Sequence, residues 1–481
     1  MGAEDRKIAE GPGGWVRQAG DRLAGRLPDY LTVALAVLIW RVFYPGLMSA
    51  DSISQYGQAL AGLYNDWHPP LMAIALKITL ALGGTIGLLM LAQCLAGVFG
   101  VRALATAVFA QLFGDRISPR RSAWLSLLVL AVLLIPVTPL AFYLMTFWKD
   151  AWAMVLLLWI GALSLDLFRN GPAPKRVLLV VALAAGLGLV RHNAVVVLPL
   201  VGLLLWAAVR RTTRAGALAV AAAPLALWVV GGVLLDRVWA VKEMHPDSQI
   251  MALDLVGLCA ESRSACDRLP WTERHILDES ALARYRPGDI GFIFWDEPKQ
   301  VDPAIRMDYP HLRAEYLRAV REFPLLLAEV KLEAFATLLG TDRTYYYFHD
   351  SIMENPYGLA LNPRFAPARQ WLSTRGKTVA EAPVLRWISG VHLVWIVVNV
   401  LWVAGLLVCW RRREARLLVL AGVLLIPLGY YASYLFATPQ PDFRFMYPAT
   451  LAVQCVTLSW AIGGLAQKPT GRAPSFSRFS A

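Results

Sequence analysis

The sequence has few charged residues and few cysteines, and it contains no glycine-rich loop of the kind that cradles nucleotide phosphates. Only 17% of its 481 residues are charged, whereas 57% are hydrophobic. A chain so poor in charge is not an ordinary soluble domain. Several apolar stretches reach the roughly 20 residues that a helix needs to cross about 30 Å of hydrocarbon. With a mean hydropathy of +0.50, they predict an integral membrane protein.

The net charge of +12 could indicate a nucleic-acid partner, but its distribution argues against one. Much of the excess lies in short clusters between apolar stretches, which are Arg116/Arg120/Arg121, Arg169/Lys175/Arg176, Arg210/Arg211/Arg214 and Arg411/Arg412/Arg413/Arg416. Lysine and arginine concentrate in the cytoplasmic loops of membrane proteins. We therefore expect these clusters to be cytoplasmic, and we expect no nucleic-acid partner.

The charge clusters and the apolar stretches together predict an all-α polytopic membrane protein with about ten transmembrane helices. The spans are expected near 30–47, 85–113, 121–146, 150–168, 177–191, 194–209, 217–238, 388–410, 416–436 and 447–465. The run 69–83 is too short to span and is expected to be interfacial or re-entrant. No convincing signal-peptide cleavage site follows the first apolar run. Both termini are then cytoplasmic.

This topology divides the chain into five segments. They are a cytoplasmic N-terminal segment (1–28), a transmembrane module (29–239) with its first extracytoplasmic loop at 48–70, an extracytoplasmic insertion (240–387), C-terminal transmembrane helices (388–466) and a cytoplasmic tail (467–481). The insertion has a helical pattern over 311–339 that is broken near Pro324. If the insertion is extracytoplasmic, Cys259 and Cys266 could form a disulfide, although their spacing alone does not establish one.

Polar clusters interrupt the apolar sequence at five places. They are Asp51 to Asp66-Trp67-His68, Trp148-Lys149-Asp150, Arg191-His192-Asn193, Tyr345-Tyr346-Tyr347-Phe348-His349-Asp350 and Asp442 to Tyr447. The predicted topology puts all five clusters on the extracytoplasmic side. It rests on basic loops and span lengths alone, so it is independent of these clusters. Charges near lipid are costly and often functional. Each cluster also has a structural alternative, such as a loop salt bridge, a helix cap, a snorkelling pair or an aromatic belt.

The first loop resembles that of the GT-C membrane glycosyltransferases, in particular the protein O-mannosyltransferase and lipid A aminoarabinose transferase branch. Asp51 stands where that branch has its acidic motif, and Trp67-His68-Pro69-Pro70-Leu71 is similar to its lysine-proline-proline-leucine segment. The order of spans and basic turns over roughly 30–240 is also similar. Two features differ: Ser52 replaces a second acidic residue, and His68 replaces the lysine.

The resemblance implies transfer of a sugar from a polyprenyl-phosphate donor to an unknown acceptor, which could be a lipid, a polysaccharide or a protein. Asp51 would be the general base and Asp66 a second catalytic carboxylate. The residues expected to bind the donor phosphate or another part of the substrates are His68, Lys149, Asp150, Arg191, His192, Arg444, Tyr447, Trp67 and Gln55. Asp51, Asp66 and His68 could offer ligands to a divalent cation, but their spacing matches no recognised metal signature. No metal or other cofactor is predicted.

A transporter or flippase of a lipid-linked sugar is the main alternative, and Arg102 and Lys77 inside apolar stretches favour it. A non-catalytic assembly or receptor protein is a third, although it gives the loop-one carboxylates no role. The abundance of alanine, leucine, arginine and glycine suggests a GC-rich bacterial genome, and hence an inner (plasma) membrane location.

Overall fold

The computed structural model describes residues 12–136, 138–210, 214–295, 297–299, 301–340, 350–410 and 415–467. Throughout these ranges the regular secondary structure is helical, and the only β-type pairings are four isolated bridges. The described part of the chain therefore confirms the predicted all-α class.

The described residues of the N-terminal module form ten α-helices. They are α1 (Pro12–Phe43), α2 (Ala50–Ala61), α3 (Leu71–Ala81), α4 (Ile86–Phe113), α5 (Pro119–Leu134), α6 (Leu140–Met145), α7 (Lys149–Asn170), α8 (Pro174–Val190), α9 (Val197–Val209) and α10 (Arg214–Trp239). At about 1.5 Å per residue, the 11 residues of α3 reach only about 16 Å. This apolar helix is too short to span a membrane, as the sequence predicted.

The insertion and the C-terminal region contain eleven further helices. They are α11 (Ser248–Glu261), α12 (Arg263–Cys266), α13 (Pro270–Arg274), α14 (Ile290–Phe294), α15 (Tyr309–Glu322), α16 (Pro324–Leu338), α17 (Ala366–Glu381), α18 (Pro383–Ser389), α19 (His392–Trp410), α20 (Ala415–Ala432) and α21 (Tyr447–Leu465). The break predicted near Pro324 is confirmed, because this residue has no N–H and begins α16 at its first turn. Cys259 and Cys266 form a disulfide that ties α11 to α12.

In the part of the chain that the structure describes, seven helical segments are long and apolar enough to cross a membrane. They are Ile86–Arg116, Lys149–Asn170, His192–Val209, Ala215–Trp239, His392–Cys409, Arg416–Leu435 and Tyr447–Leu465. A polytopic membrane protein is thereby confirmed, while the count of ten spans stays a prediction. The predicted span 121–146 is not one continuous helix, because α5 ends at Leu134 and α6 begins at Leu140. Pro136 and Pro139 lie between them, and proline cannot donate the backbone hydrogen bond that a continuous helix requires.

The centre of the bundle is formed by α4 and α7, with α1, α5, α20 and α21 packed around them. Gly97 of α4 allows one of the closest approaches, because a Cβ at this position would clash with the Leu144 side chain. A second apolar cluster joins α7 to α8, α9 and α20. The helices α10 and α19 lie outside and are mostly unburied, as expected of helices that face lipid.

Candidate active site

A cavity of about 610 Å³ lies at the end of the bundle where α7 begins and α8 ends. The insertion forms part of its wall through residues of α11, α14 and α15. Eight of the eleven predicted site residues line this cavity: Asp51, Asp66, Trp67, His68, Lys149, Arg191, His192 and Arg444. The structure therefore brings four of the five polar clusters together at one end of the bundle. In the fifth cluster, Tyr345–His349 fall outside the described residues.

The position of Asp51 follows from how α2 begins. Ser49 caps the helix together with Ser52, whose Oγ accepts from the Ser49 N–H at 3.2 Å. The Ser52 hydroxyl also donates to the carbonyl of Phe147 at 2.7 Å, and Trp148 Nε1 donates to Ser49 Oγ at 2.8 Å. These bonds fix the first turn of α2 to the segment just before α7. The Asp51 carboxylate is thus held beside the start of α7.

The Asp51 carboxylate lies between two hydrogen-bond donors, the guanidinium of Arg444 and the imidazole of His68. Its Oδ2 lies 3.0 Å from Arg444 Nη1, and its Oδ1 lies 3.5 Å from His68 Nε2. Burial alone would raise the pKa of Asp51, but Arg444, His68 and Lys149 together hold it well below its usual range. Asp51 is therefore ionised at neutral pH.

His68 links Asp51 to Lys149. The ionised Asp51 carboxylate can only accept, which places the ring proton of His68 on Nε2, directed at Asp51. His68 Nδ1 then accepts from Lys149 Nζ, 3.2 Å away. Burial and the Lys149 charge lower the pKa of His68, so the ring is neutral at pH 7. Within the described residues, no carboxylate lies within ion-pair distance of Lys149.

Arg191 at the end of α8 forms an ion pair with Asp150, and both side chains are almost completely buried. Asp150 was expected to contact the substrate, but it does not line the cavity. Successive helical residues point about 100° apart, so Lys149 faces the cavity while Asp150 turns into the bundle. Asp150 is therefore the counter-ion of Arg191. Arg191 Nε also donates to Asn193 Oδ1 at 3.1 Å.

Arg444 lies on a short 3-10 turn, Phe443–Phe445, that joins α20 to α21. The Asp442 side chain holds this turn, because its Oδ1 accepts from the Arg444 N–H at 3.0 Å and its Oδ2 lies 2.9 Å from Arg444 Nε. The guanidinium also lies 4.9 Å from the centre of the Trp148 ring, within cation–π range. Arg444 is thus fixed between two carboxylates, with one face on an aromatic ring.

Asp66 is tied to the chain that follows α10. Its backbone N–H donates to the Lys242 carbonyl at 3.1 Å, and one carboxylate oxygen accepts from the Met244 N–H. The Lys242 N–H in turn donates to the Tyr64 carbonyl at 2.9 Å. Burial raises the pKa of Asp66. This predicted second carboxylate therefore lines the cavity and also clamps loop one to the insertion.

Besides Asp150, two predicted residues do not reach the cavity. Gln55 lies one turn beyond Asp51 but is buried, and its Oε1 has no hydrogen-bond partner among the described residues. Tyr447 is fully buried, and its ring packs 4.5 Å from that of Tyr143. In this structure neither side chain can contact a substrate in the cavity. Tyr447 instead supports the turn that carries Arg444.

The cavity also contains residues that were not predicted from the sequence. The insertion contributes the polar side chains of Asp247 and Gln249 and the exposed ring of Trp295, and the loop after α20 contributes Phe436 and Gln440. The signal for Gln440 was present, since it belongs to the same short polar loop as Asp442. No local signal identified Asp247 or Trp295, because only the folded insertion brings them to the bundle.

Across the residues that the structure describes, no group of three or more histidine, cysteine, aspartate or glutamate side chains could hold a metal ion. Asp51 and His68 are close together, but they are engaged by Arg444 and Lys149, and Asp66 is engaged by a backbone N–H.

Comparison with known proteins found no match: no family model, no curated protein and no solved structure is similar to this chain.

Proposed function

We propose that this protein is a membrane glycosyltransferase that moves a sugar from a polyprenyl-phosphate donor to an acceptor hydroxyl. The observation that carries the proposal is the position of Asp51. This ionised carboxylate faces a cavity lined by Lys149, Arg191 and Arg444, at the end of a bundle of membrane helices. A donor with a lipid tail and a phosphate head would present its head group at this level.

In the proposed reaction the acceptor oxygen attacks the anomeric carbon of the sugar. The bond from that carbon to the phosphate oxygen breaks, and polyprenyl phosphate leaves with the electron pair. The acceptor proton passes to Asp51 as general base. Oδ1 suits this role better than Oδ2, because Oδ2 is held by Arg444 at 3.0 Å while Oδ1 lies 3.5 Å from His68 Nε2.

The leaving phosphate gains negative charge as the bond breaks, and fixed cations would stabilise it. Lys149 is the best candidate because it has no carboxylate partner among the described residues. Arg444 is the second, since its planar guanidinium suits bidentate phosphate binding. A phosphate that drew Arg444 away from Asp51 would also raise the basicity of that carboxylate. Donor binding would then activate the base.

Two observations count against the transporter alternative. Arg102, which lies within a membrane helix, is neutralised by Asp29 at 2.8 Å and bonded to Thr32 Oγ1 at 2.7 Å, so it acts as a structural group. The polar residues of the cavity gather at one end of the bundle, whereas transporters place their binding sites near the midplane.

The proposal includes a topology. The disulfide Cys259–Cys266 supports an insertion that faces an oxidising compartment, because such bonds are rare in the cytosol. We infer that the site and the insertion face outward from a bacterial inner membrane, with both termini cytoplasmic. The remaining predicted spans would be α1, the broken pair α5–α6 and α8.

The test is transfer of a labelled sugar from synthetic polyprenyl-phosphate donors by the purified protein in nanodiscs, with lipid, polysaccharide and peptide acceptors. The proposal predicts that labelled product and free polyprenyl phosphate form in equal amounts. The opposite result is a folded protein that binds the donor without consuming it and moves it across the bilayer in proteoliposomes. That result would contradict the enzyme and identify a flippase.

A further inference from the structure

The turn that carries Arg444 is held from behind by a buried histidine at the start of α19. His392 is 1% exposed, and its Nε2 lies 3.0 Å from the carbonyl oxygen of Phe443. The imidazole also stacks on the Phe443 ring, with centroids 4.3 Å apart. His392 touches neither the cavity nor any of its charged residues, and the proposed reaction gives it no role.

The hydrogen bonds around His392 define a single tautomer. A carbonyl oxygen only accepts, so Nε2 must carry the proton that points at Phe443. The neutral ring then accepts at Nδ1 from the Thr450 hydroxyl, 2.8 Å away. Thr450 Oγ1 in turn lies 2.8 Å from the Tyr431 hydroxyl, which can donate to it. Three hydrogen bonds, each donated toward the next residue, thus connect Tyr431 of α20, Thr450 of α21 and His392 of α19 to the Arg444 turn.

We infer that His392 is a positioning residue that sets the place of the Arg444 guanidinium through this chain of hydrogen bonds. The 3-10 turn is only three residues long, so its own backbone bonds cannot fix its position relative to Asp51. His392 fixes the carbonyl just before Arg444, and Asp442 fixes the Arg444 N–H and Nε. The inference rests on the proposed function only where it concerns donor binding.

The site's geometry depends on this placement, because the Asp51–Arg444 contact of 3.0 Å joins a residue of loop one to a residue more than 390 positions later. A shift of the turn by about 1 Å would lengthen that contact beyond hydrogen-bonding distance. Loss of the His392 bond should therefore weaken binding of the donor phosphate without removing any side chain from the cavity.

The test compares three variants. His392→Phe keeps the stacking but removes both hydrogen bonds, whereas His392→Gln keeps a donor near the position of Nε2. Thr450→Val keeps the shape of that residue and removes its hydroxyl. This variant takes the place of His392→Phe in the test if His392→Phe does not fold. The first measurement is amide hydrogen exchange at Phe443–Met446 in nanodiscs, which needs no substrate.

We expect exchange at this turn to rise about tenfold or more in His392→Phe and to stay near the wild-type rate in His392→Gln, while amides of α4 and α7 are unchanged. Unchanged exchange at the turn in both His392→Phe and Thr450→Val would overturn the inference. So would a His392→Gln variant that exchanges as fast as His392→Phe, because the donated bond would then be irrelevant.

The second measurement is donor KM in the transfer assay. His392→Phe should raise KM roughly tenfold with a smaller change in kcat, and it should add no further loss in an Arg444→Gln background, because residues that act through one another are not additive. Losses that add fully would mean that His392 does not act through Arg444. If the wild-type protein transfers no sugar, the proposed function fails, while the exchange experiment still decides the role of His392.

Discussion

At the scale of single residues, the site contains two ion pairs whose members come from different parts of the chain. Asp51 faces Arg444, and Arg191 faces Asp150. Lys149 differs, because its polar contact among the described residues is the neutral His68 ring. The site thus has an ionised carboxylate, Asp51, and a lysine, Lys149, that lacks a carboxylate partner among the described residues. This arrangement suits the binding of an anion.

Replacement of Arg444 by lysine should separate charge from geometry. Lysine keeps the positive charge but cannot span the Oδ2 atoms of Asp51 and Asp442 as the guanidinium does. We expect Arg444→Lys to lower kcat/KM about tenfold or more, mainly through donor KM. The matched control is Arg321→Lys on the exposed face of α15, which should transfer at the wild-type rate. An Arg444→Lys enzyme with unchanged kinetics would remove Arg444 from donor binding.

The pH dependence should respond to the same pair. Because the pKa of Asp51 is held below its ordinary value, the contribution of the ion pair to stability is present above about pH 4 and is lost only as the pH falls below that range. Asp51 should therefore impose no acid limb on kcat/KM between pH 5 and 8.

Removal of Arg444 leaves burial, which raises the pKa of Asp51, less opposed. In the Arg444→Gln variant we expect an acid limb that moves up by about one pH unit or more. The measurement is kcat/KM against pH for both proteins, carried below pH 5, where the wild-type limb is expected. Identical acid limbs would show that Asp51 is not the group whose ionisation the reaction needs.

At the scale of elements, helix type and order could be predicted from apolar length and basic turns, and the ends of the spans indicated where polar residues would gather. The break in α15–α16 followed from Pro324 alone. The break between α5 and α6 was missed, because the apolar run continues through Pro136 and Pro139.

Which side chains face the cavity was harder to predict. Neighbours such as Lys149 and Asp150 differ only in helical direction, and the pairing of Asp51 with Arg444 is a long-range contact.

The disulfide within the insertion can be tested directly. Denatured protein treated with an alkylating reagent without reductant should be labelled at three cysteines, Cys94, Cys409 and Cys455, and at all five after reduction. Mass spectrometry gives the count. Five labelled cysteines without reductant, in protein purified from membranes under acidic quench, would contradict the bond and remove its support for an extracytoplasmic insertion.

At the scale of the whole molecule, the account requires α8 to cross the membrane. The helix has 17 residues, or about 26 Å, which is slightly shorter than the hydrocarbon core. Its end nevertheless meets the start of α7 at the cavity, as expected if α7 and α8 cross in opposite directions. Three crossings, by α8, α9 and α10, then separate Lys175, in the first turn of α8, from the insertion.

Cysteine accessibility tests this topology. With exposed Cys409 first changed to serine, a membrane-impermeant maleimide should label Thr374→Cys in the insertion of intact cells but should not label Lys175→Cys until the cells are opened. Both positions are exposed, so access to reagent is the only difference. Equal labelling of the two in intact cells would mean that an even number of helices lies between them and that α8 does not span.

The central claim is that Asp51 is the base of a sugar-transfer reaction, and the most direct measurement is single-turnover release of polyprenyl phosphate by Asp51→Asn. The control is Asp308→Asn, which changes an exposed capping carboxylate of α15 to an equally good cap. We expect release to fall about 100-fold or more in Asp51→Asn, with donor binding retained, and to be normal in the control. Release by Asp51→Asn at the wild-type rate would contradict the assignment of the base and the mechanism built on it.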